Sequence, residues 1–450
     1  MIASRARFWL AAIVIAAAAA LDAAPDPDTA LAAYVADADA TYGWSVRDTG
    51  EIDGAQYVEL LLTSQTWRDQ RWRHQLFIIR PATIEPGTRH AILFVSGGRW
   101  RDSYAAPPGD RHLPSSAQVY VRLAAAARAP LAILRQVPFQ PIFDGLTEDD
   151  AIAYTFDRYL ESGDASWPLL LPMVKSAVRA MDAVQEYSRE AWSLELEDFT
   201  VTGASKRGWT TWLTGAVDPR VRAIAPMVID VLNMPAQMNL AREVWGALSE
   251  QIAPYTERGI DTRLETEAGQ ALLEIVDPWR YRSRLALSKL VILGTNDAYW
   301  PLEAASVYWD ELPGEKRLLY VPNEGHDIDD YDRLLGGIVA LHASATQNAP
   351  LPALEWEFEE RTNGLMLAVV PSEQPHVLRG WLARSATRDF RGAHWRRIHA
   401  REREGTYSIS LTRDRRQYLA VFAEAVYRED RAVPFYLSTG VRILEPRNVQ

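Results

Sequence analysis

Hydrophobic and polar positions along the chain switch repeatedly between two periods, and the switches outline the fold. Residues 56–66 and 72–80 are rich in Val, Leu, Ile, Phe and Trp, with the polar Arg68-Asp69-Gln70 between them, which predicts an antiparallel strand pair. Residues 90–95 form a compact apolar run that empties into Ser96-Gly97-Gly98, a buried strand followed by a glycine loop, and residues 130–137 are another such run. Helical spacing follows over residues 169–188 through Leu171, Val174, Val178, Met181 and Val184. A short strand at 199–202, a helix at 206–217 and a strand at 221–229 continue the rhythm. Alternation of this kind predicts a mostly parallel sheet with helices on both faces.

Residues 233–284 break the pattern with irregular helical sequence, and strands resume only at 290–293 and 317–321, before a last helix near 331–345. An insertion at this point sits over the carboxyl ends of the strands as a lid. At Asn348-Ala349-Pro350-Leu351-Pro352 the composition shifts. Beyond it, alternating segments such as Leu354-Trp356-Phe358 and Leu365-Leu367-Val369 recur between turn-rich breaks, which predicts a β-sandwich-like domain over residues 353–450.

The amino terminus changes the picture of the first residues. Arg5 and Arg7 precede an uninterrupted apolar run over residues 8–21 and then the polar, Pro-containing stretch 22–28, the order of a secretory signal peptide. Residues 1–24 are expected to be removed, leaving 25–347 as the α/β domain, no stable membrane span and a periplasmic or secreted protein. The chain holds no Cys, so disulfides, thiolate metal ligands and a cysteine nucleophile are excluded. A formal net charge of -11 without a basic block argues against nucleic acid as a partner. The sixteen Trp are read mainly as packing residues.

The chemistry centres on Thr202-Gly203-Ala204-Ser205-Lys206-Arg207-Gly208, which lies between the strand at 199–202 and the helix at 206–217. A serine in a sharp strand-to-helix turn is a nucleophile elbow, although here Gly follows at the third place after the serine and Arg207 fills the second. The α/β-hydrolase fold presents nucleophile, acid and histidine in that order, each after a strand. Asp297, in Gly294-Thr295-Asn296-Asp297, and His326, in Glu324-Gly325-His326-Asp327, arrive in that order and in those loops. A serine hydroxyl needs a base to take its proton, and the imidazole needs a carboxylate to fix its tautomer. Asp230 also ends a predicted strand and is the alternative acid. The backbone N–H groups of Lys206 and, from the loop after the strand at 90–95, Gly98 are the expected oxyanion donors.

Neither a cofactor nor a metal is implied. His74, His90, His112, His342, His376, His394 and His399 lack metal-ligand spacing, and Asp329, Asp330 and Asp332 read as a helix cap rather than a calcium site. Lys206 and Arg207 would attract an acidic substrate if they faced the cleft, but Arg207 is read first as a structural ion pair beneath the elbow.

The elbow, continuing through Trp209, Asp218-Pro219-Arg220 and the run from Pro226 to Met234, resembles the PhoPQ-activated pathogenicity-related protein family. The resemblance extends to Ser64-Gln65-Thr66-Trp67-Arg68, residues 172–182, the Asp297 and His326 loops and residues 381–395. It implies an exported bacterial α/β-hydrolase-like protein with a carboxy-terminal β-domain, and implies no particular substrate. Two functions from different classes follow. One is a serine hydrolase that cleaves a small-molecule or envelope-derived ester or amide. The other is a catalytically idle hydrolase-fold protein that binds an envelope or glycan ligand.

Overall fold

The computed structural model describes residues 27–106, 117–347, 349–428 and 433–447. The expected signal segment and His112 lie outside them. Helix α1 (Pro27–Ala36) precedes three antiparallel strands, β1 (Gly43–Ile52), β2 (Ala55–Trp67) and β3 (Gln70–Arg80). The last two are the expected pair. β1 is an edge strand with no buried position, so it has no apolar stripe from which to be read.

There follow β4 (His90–Val95), α2 (Ala117–Ala127), β5 (Leu131–Leu134), α3 (Glu148–Ser162), α4 (Leu170–Trp192), β6 (Asp198–Ala204), α5 (Lys206–Val217) and β7 (Val221–Met227). The insertion holds α6 (Met234–Trp245), α7 (Ala253–Thr256), α8 (Ile260–Arg263) and α9 (Glu267–Val276). β8 (Ser288–Gly294), β9 (Lys316–Val321) and α10 (Tyr331–Gln347) complete this part. In space the strands run β1-β2-β3-β5-β4-β6-β7-β8-β9, and β5 to β9 are parallel to one another. The result is a mixed α/β fold on a large, mostly parallel central sheet.

Helices cover both faces of the parallel strands, so their residues are buried on alternate sides. In β4, Ala91, Leu93 and Val95 join one apolar cluster while Ile92 joins the other. β7 ends at Met227, two residues before the predicted end, because Val228 turns to φ 47° and leaves the extended region. Asp330 caps α10 by accepting the Arg333 N–H at 3.2 Å, which is the role expected of that acidic run.

Beyond residue 353 the regular elements among the described residues are all strands: β10 (Leu354–Arg361), β11 (Gly364–Pro371), β12 (Val377–Ser385), β13 (Arg396–His399), β14 (Arg401–Arg403), β15 (Thr406–Thr412), β16 (Tyr418–Arg428), β17 (Pro434–Ser438) and β18 (Arg442–Leu444). β10-β11-β15-β14 form one sheet. It faces β12, where a Cβ added to Gly380 would come within 2.7 Å of Ile409 on β15. The opposing layer, β17-β16-β12-β13 with β18 on β16, is continuous with the central sheet, since β17 pairs antiparallel with β9 at Ser438 and Leu318. Among the described residues no helix is long and apolar enough to cross a membrane.

Candidate active site

Ser205 stands between β6 and α5 with φ 57° and ψ −126°, a backbone region that costs a non-glycine residue about 1–3 kcal/mol. The strain is held by close packing. A Cβ on Gly208 would sit 2.6 Å from the Ile229 side chain and 2.9 Å from the Met227 carbonyl, and one on Gly203 would sit 2.8 Å from the Arg207 carbonyl. Only hydrogen at these positions lets β6, β7 and the first turn of α5 approach so closely. The Ser205 Oγ is thereby lifted out of the sheet toward the loops that follow β8 and β9.

His326 meets it there. The imidazole Nε2 is 2.8 Å from Ser205 Oγ, and Nδ1 is 2.9 Å from Asp297 Oδ2. The Nδ1–H tautomer donates to the carboxylate and leaves Nε2 to accept the serine proton. Asp297 also accepts the Tyr299 N–H at 2.8 Å, which fixes the carboxylate plane. The Asp297 and His326 loops are bound to each other: Asn296 N–H donates to the Glu324 carbonyl at 2.9 Å, and Asn323 N–H donates to Thr295 Oγ1 at 2.9 Å. Tyr299 lies against the imidazole, with ring centroids 4.1 Å apart.

Asp230, the alternative acid, is brought to another partner. It is buried, accepts a hydrogen bond from the Tyr308 hydroxyl, and is pushed up to about 7 by burial, assisted by the nearby Asp297 charge. Lys206 opens α5, so its backbone N–H has no acceptor within the helix. Gly98 lies in the loop leaving β4, next to β6 in the sheet, where Val95 is opposite Gly203. One expected donor therefore opens the helix that follows Ser205, and the other lies in the loop leaving the strand beside β6.

The model of the PhoPQ-activated pathogenicity-related protein family matches residues 31–391. The chain belongs to this family. It is 31% identical over 439 residues to the autocrine proliferation repressor protein A of Dictyostelium discoideum, a match that covers 89% of this chain and 86% of that one. Among solved structures, it is similar to an acetyl xylan esterase from Paenibacillus sp. R4, with 13% identity, TM-score 0.47, and coverage of 67% of this chain and 88% of that chain. It is likewise similar to acetyl xylan esterase 1 from Thermoanaerobacterium sp. JW/SL YS485, with 16% identity, TM-score 0.46, and coverage of 71% and 93%.

The cations of the elbow are paired within this family member. The Arg207 guanidinium donates to both Glu148 carboxylate oxygens at 2.7 and 2.8 Å and to the Val137 carbonyl at 2.5 Å, packed so tightly beneath Gly97 that a Cβ there would collide with it. Burial alone would raise Glu148, but the hydrogen bonds and charge of Arg207 hold it down at about 2. Lys206 Nζ donates to Asp149 at 2.9 Å, and the half-buried Tyr255 donates its hydroxyl to the same carboxylate at 2.9 Å. Arg207 thus has the structural role expected of it, and neither cation is left to draw an acidic substrate into the cleft.

The sequence did not single out Glu148, Asp149, Tyr255 or Tyr299. Glu148 and Asp149 open α3, and an acidic helix start looks like ordinary dipole compensation. Nothing local ties Glu148 to Arg207 across 59 residues. Tyr299, two residues after Asp297, was the nearest to being legible. Of the other histidines, His74 is buried between Ser64 and the Arg135 carbonyl, with burial lowering it to about 4, and His342 is buried against Thr200 at 2.9 Å.

Proposed function

We propose that this protein is a serine hydrolase that cleaves an ester or amide through an acyl-enzyme on Ser205. The observation that carries the reading is the unbroken chain from Ser205 Oγ through His326 to Asp297, with contacts of 2.8 and 2.9 Å. As Oγ attacks the carbonyl carbon, His326 Nε2 takes its proton, and Asp297 steadies the resulting imidazolium. The Lys206 and Gly98 N–H groups donate to the oxyanion. Collapse of the tetrahedral intermediate breaks the bond to the alcohol or amine, which takes the proton from His326. Water then attacks the acyl carbon with His326 again as base, which releases the acid and restores Ser205. The helices α6–α9 act as a lid over this centre, and the amino-terminal apolar run directs the protein out of the cytoplasm.

Two experiments test these proposals. A fluorophosphonate probe labels the wild-type chain and fails to label Ser205→Ala; equal labelling of the two would overturn the assignment. Sequencing the amino terminus of protein from the native cell finds a start between about residues 21 and 26. A retained Met1 in the membrane fraction would contradict export by a cleaved signal.

A further inference from the structure

The pocket that contains Ser205 and His326 is walled almost entirely by hydrocarbon. Met234 and Met238 of α6, Ile260 of α8, and Leu272, Leu273 and Val276 of α9 line it, over a base of Phe156 and Trp209. The enclosed space is about 60 Å³, within a wider envelope of about 730 Å³ that takes in open solvent. The ionisable groups on the wall are already satisfied. Asp149 and Lys206 bind each other, and Asp261 pairs with Arg242 at 3.1 Å. A charged or heavily hydroxylated group placed here would lose its hydration without finding a free partner, whereas an apolar chain would displace water from surfaces that cannot bond it.

The sheet order indicates which part of the substrate enters. The loop bearing Gly98 leaves β4 on one side of β6, while Ile229 and Val231 of the pocket follow β7 on the other side. A carbonyl bonded to Ser205 Oγ with its oxygen toward Gly98 leaves its acyl substituent and its leaving group on the β7 side, where Leu272 and Leu273 of the pocket wall are almost wholly buried. The leaving group takes its proton from His326 and so lies beside the imidazole, which leaves the apolar remainder of the pocket to the acyl substituent. We infer that the substrate carries an uncharged apolar acyl group, bound under α6–α9 in this pocket. The inference rests on the acyl-enzyme reading above.

The test uses the full chain and a series of p-nitrophenyl esters from acetate to octanoate. kcat/KM rises about fourfold for each added methylene until the pocket is full, the gain expected from burying one methylene. Met238 is partly exposed on α6, so a larger side chain there narrows the pocket without entering the core. Met238→Trp lowers the ratio of hexanoate to acetate turnover at least about tenfold, and Met238→Ala raises the octanoate ratio. Three results overturn the inference while fluorophosphonate labelling of Ser205 stands: a flat or falling acyl series, a preference for an acyl chain ending in carboxylate, or length dependence in acetate esters of longer alcohols instead. Loss of both labelling and all ester turnover would remove the acyl-enzyme reading, and the inference with it.

Discussion

Asp297→Asn is the sharpest test of the proposed centre because it changes one atom. In the native site Asp297 Oδ2 accepts from His326 Nδ1 at 2.9 Å and Oδ1 accepts the Tyr299 N–H at 2.8 Å. The backbone N–H can only donate, so the carbonyl oxygen of an asparagine keeps that place and its NH₂ group faces His326. Two donors cannot face each other, so the imidazole moves its proton to Nε2, where it meets Ser205 Oγ and can no longer accept the serine proton. Loss of the carboxylate also removes the charge that steadies imidazolium. A substitution of this kind lowers turnover by about 10⁴, or roughly 5 kcal/mol of barrier. The assay is kcat/KM for p-nitrophenyl butyrate, with Asp230→Asn measured beside it and circular dichroism confirming that both are folded. Asp230 bonds Tyr308 rather than His326, so its amide, which can still accept that bond, loses no more than about tenfold. A loss under about a hundredfold for Asp297→Asn, or a larger loss for Asp230→Asn, would refute the assignment of the acid.

Arg207→Ala leaves Glu148 with the Gln140 hydrogen bond and the Lys206 ammonium at 3.6 Å, and lowers unfolding free energy by about 2–3 kcal/mol in urea titration, below the range for a fully enclosed pair because the carboxylate still reaches water; an unchanged midpoint would show that the pair contributes nothing. Asn323 holds the His326 loop to the carboxy-terminal strands, accepting from the Trp395 N–H at 2.7 Å and donating to its carbonyl at 3.1 Å. Asn323→Ala therefore lowers kcat about ten- to a hundredfold through misplacement of His326, with KM little changed, and a pure loss of stability at full kcat would contradict that positioning role. Asp230 sits at about 7 in the folded chain, above its ordinary value of 3.8, so the stability it contributes is present in acid and drains away as pH rises from about 4 through 7. Melting temperatures of wild type and Asp230→Asn consequently lie closest near pH 4 and separate in favour of the variant toward pH 8; a pH-independent gap would show that Asp230 is ionised throughout.

What the sequence alone determined was local. Apolar runs at 90–95 and helical spacing at 169–188 place β4 and α4 within a few residues of their ends, because side-chain period is set by the backbone of each segment. The chain order Ser205, Asp297, His326 was legible for the same reason, since each residue follows its own strand in a recognisable turn. The preference for Asp297 over Asp230 rested only on the loop that holds it. Both follow strands, and it is the assembled sheet that puts one carboxylate 2.9 Å from the imidazole and the other against Tyr308. An ion pair for Arg207 was expected, but its partner Glu148 and the Lys206 partner Asp149 were hidden, because ion pairing depends on distance in space and α3 lies far back in the chain. Strand alternation after residue 353 announced β structure, yet an edge strand carries no mark of its partner. Unpaired backbone groups at the edges of β9 and β17 accept whichever edge the packing brings alongside, and so the continuation of the central sheet into the carboxy-terminal layer was decided by tertiary structure.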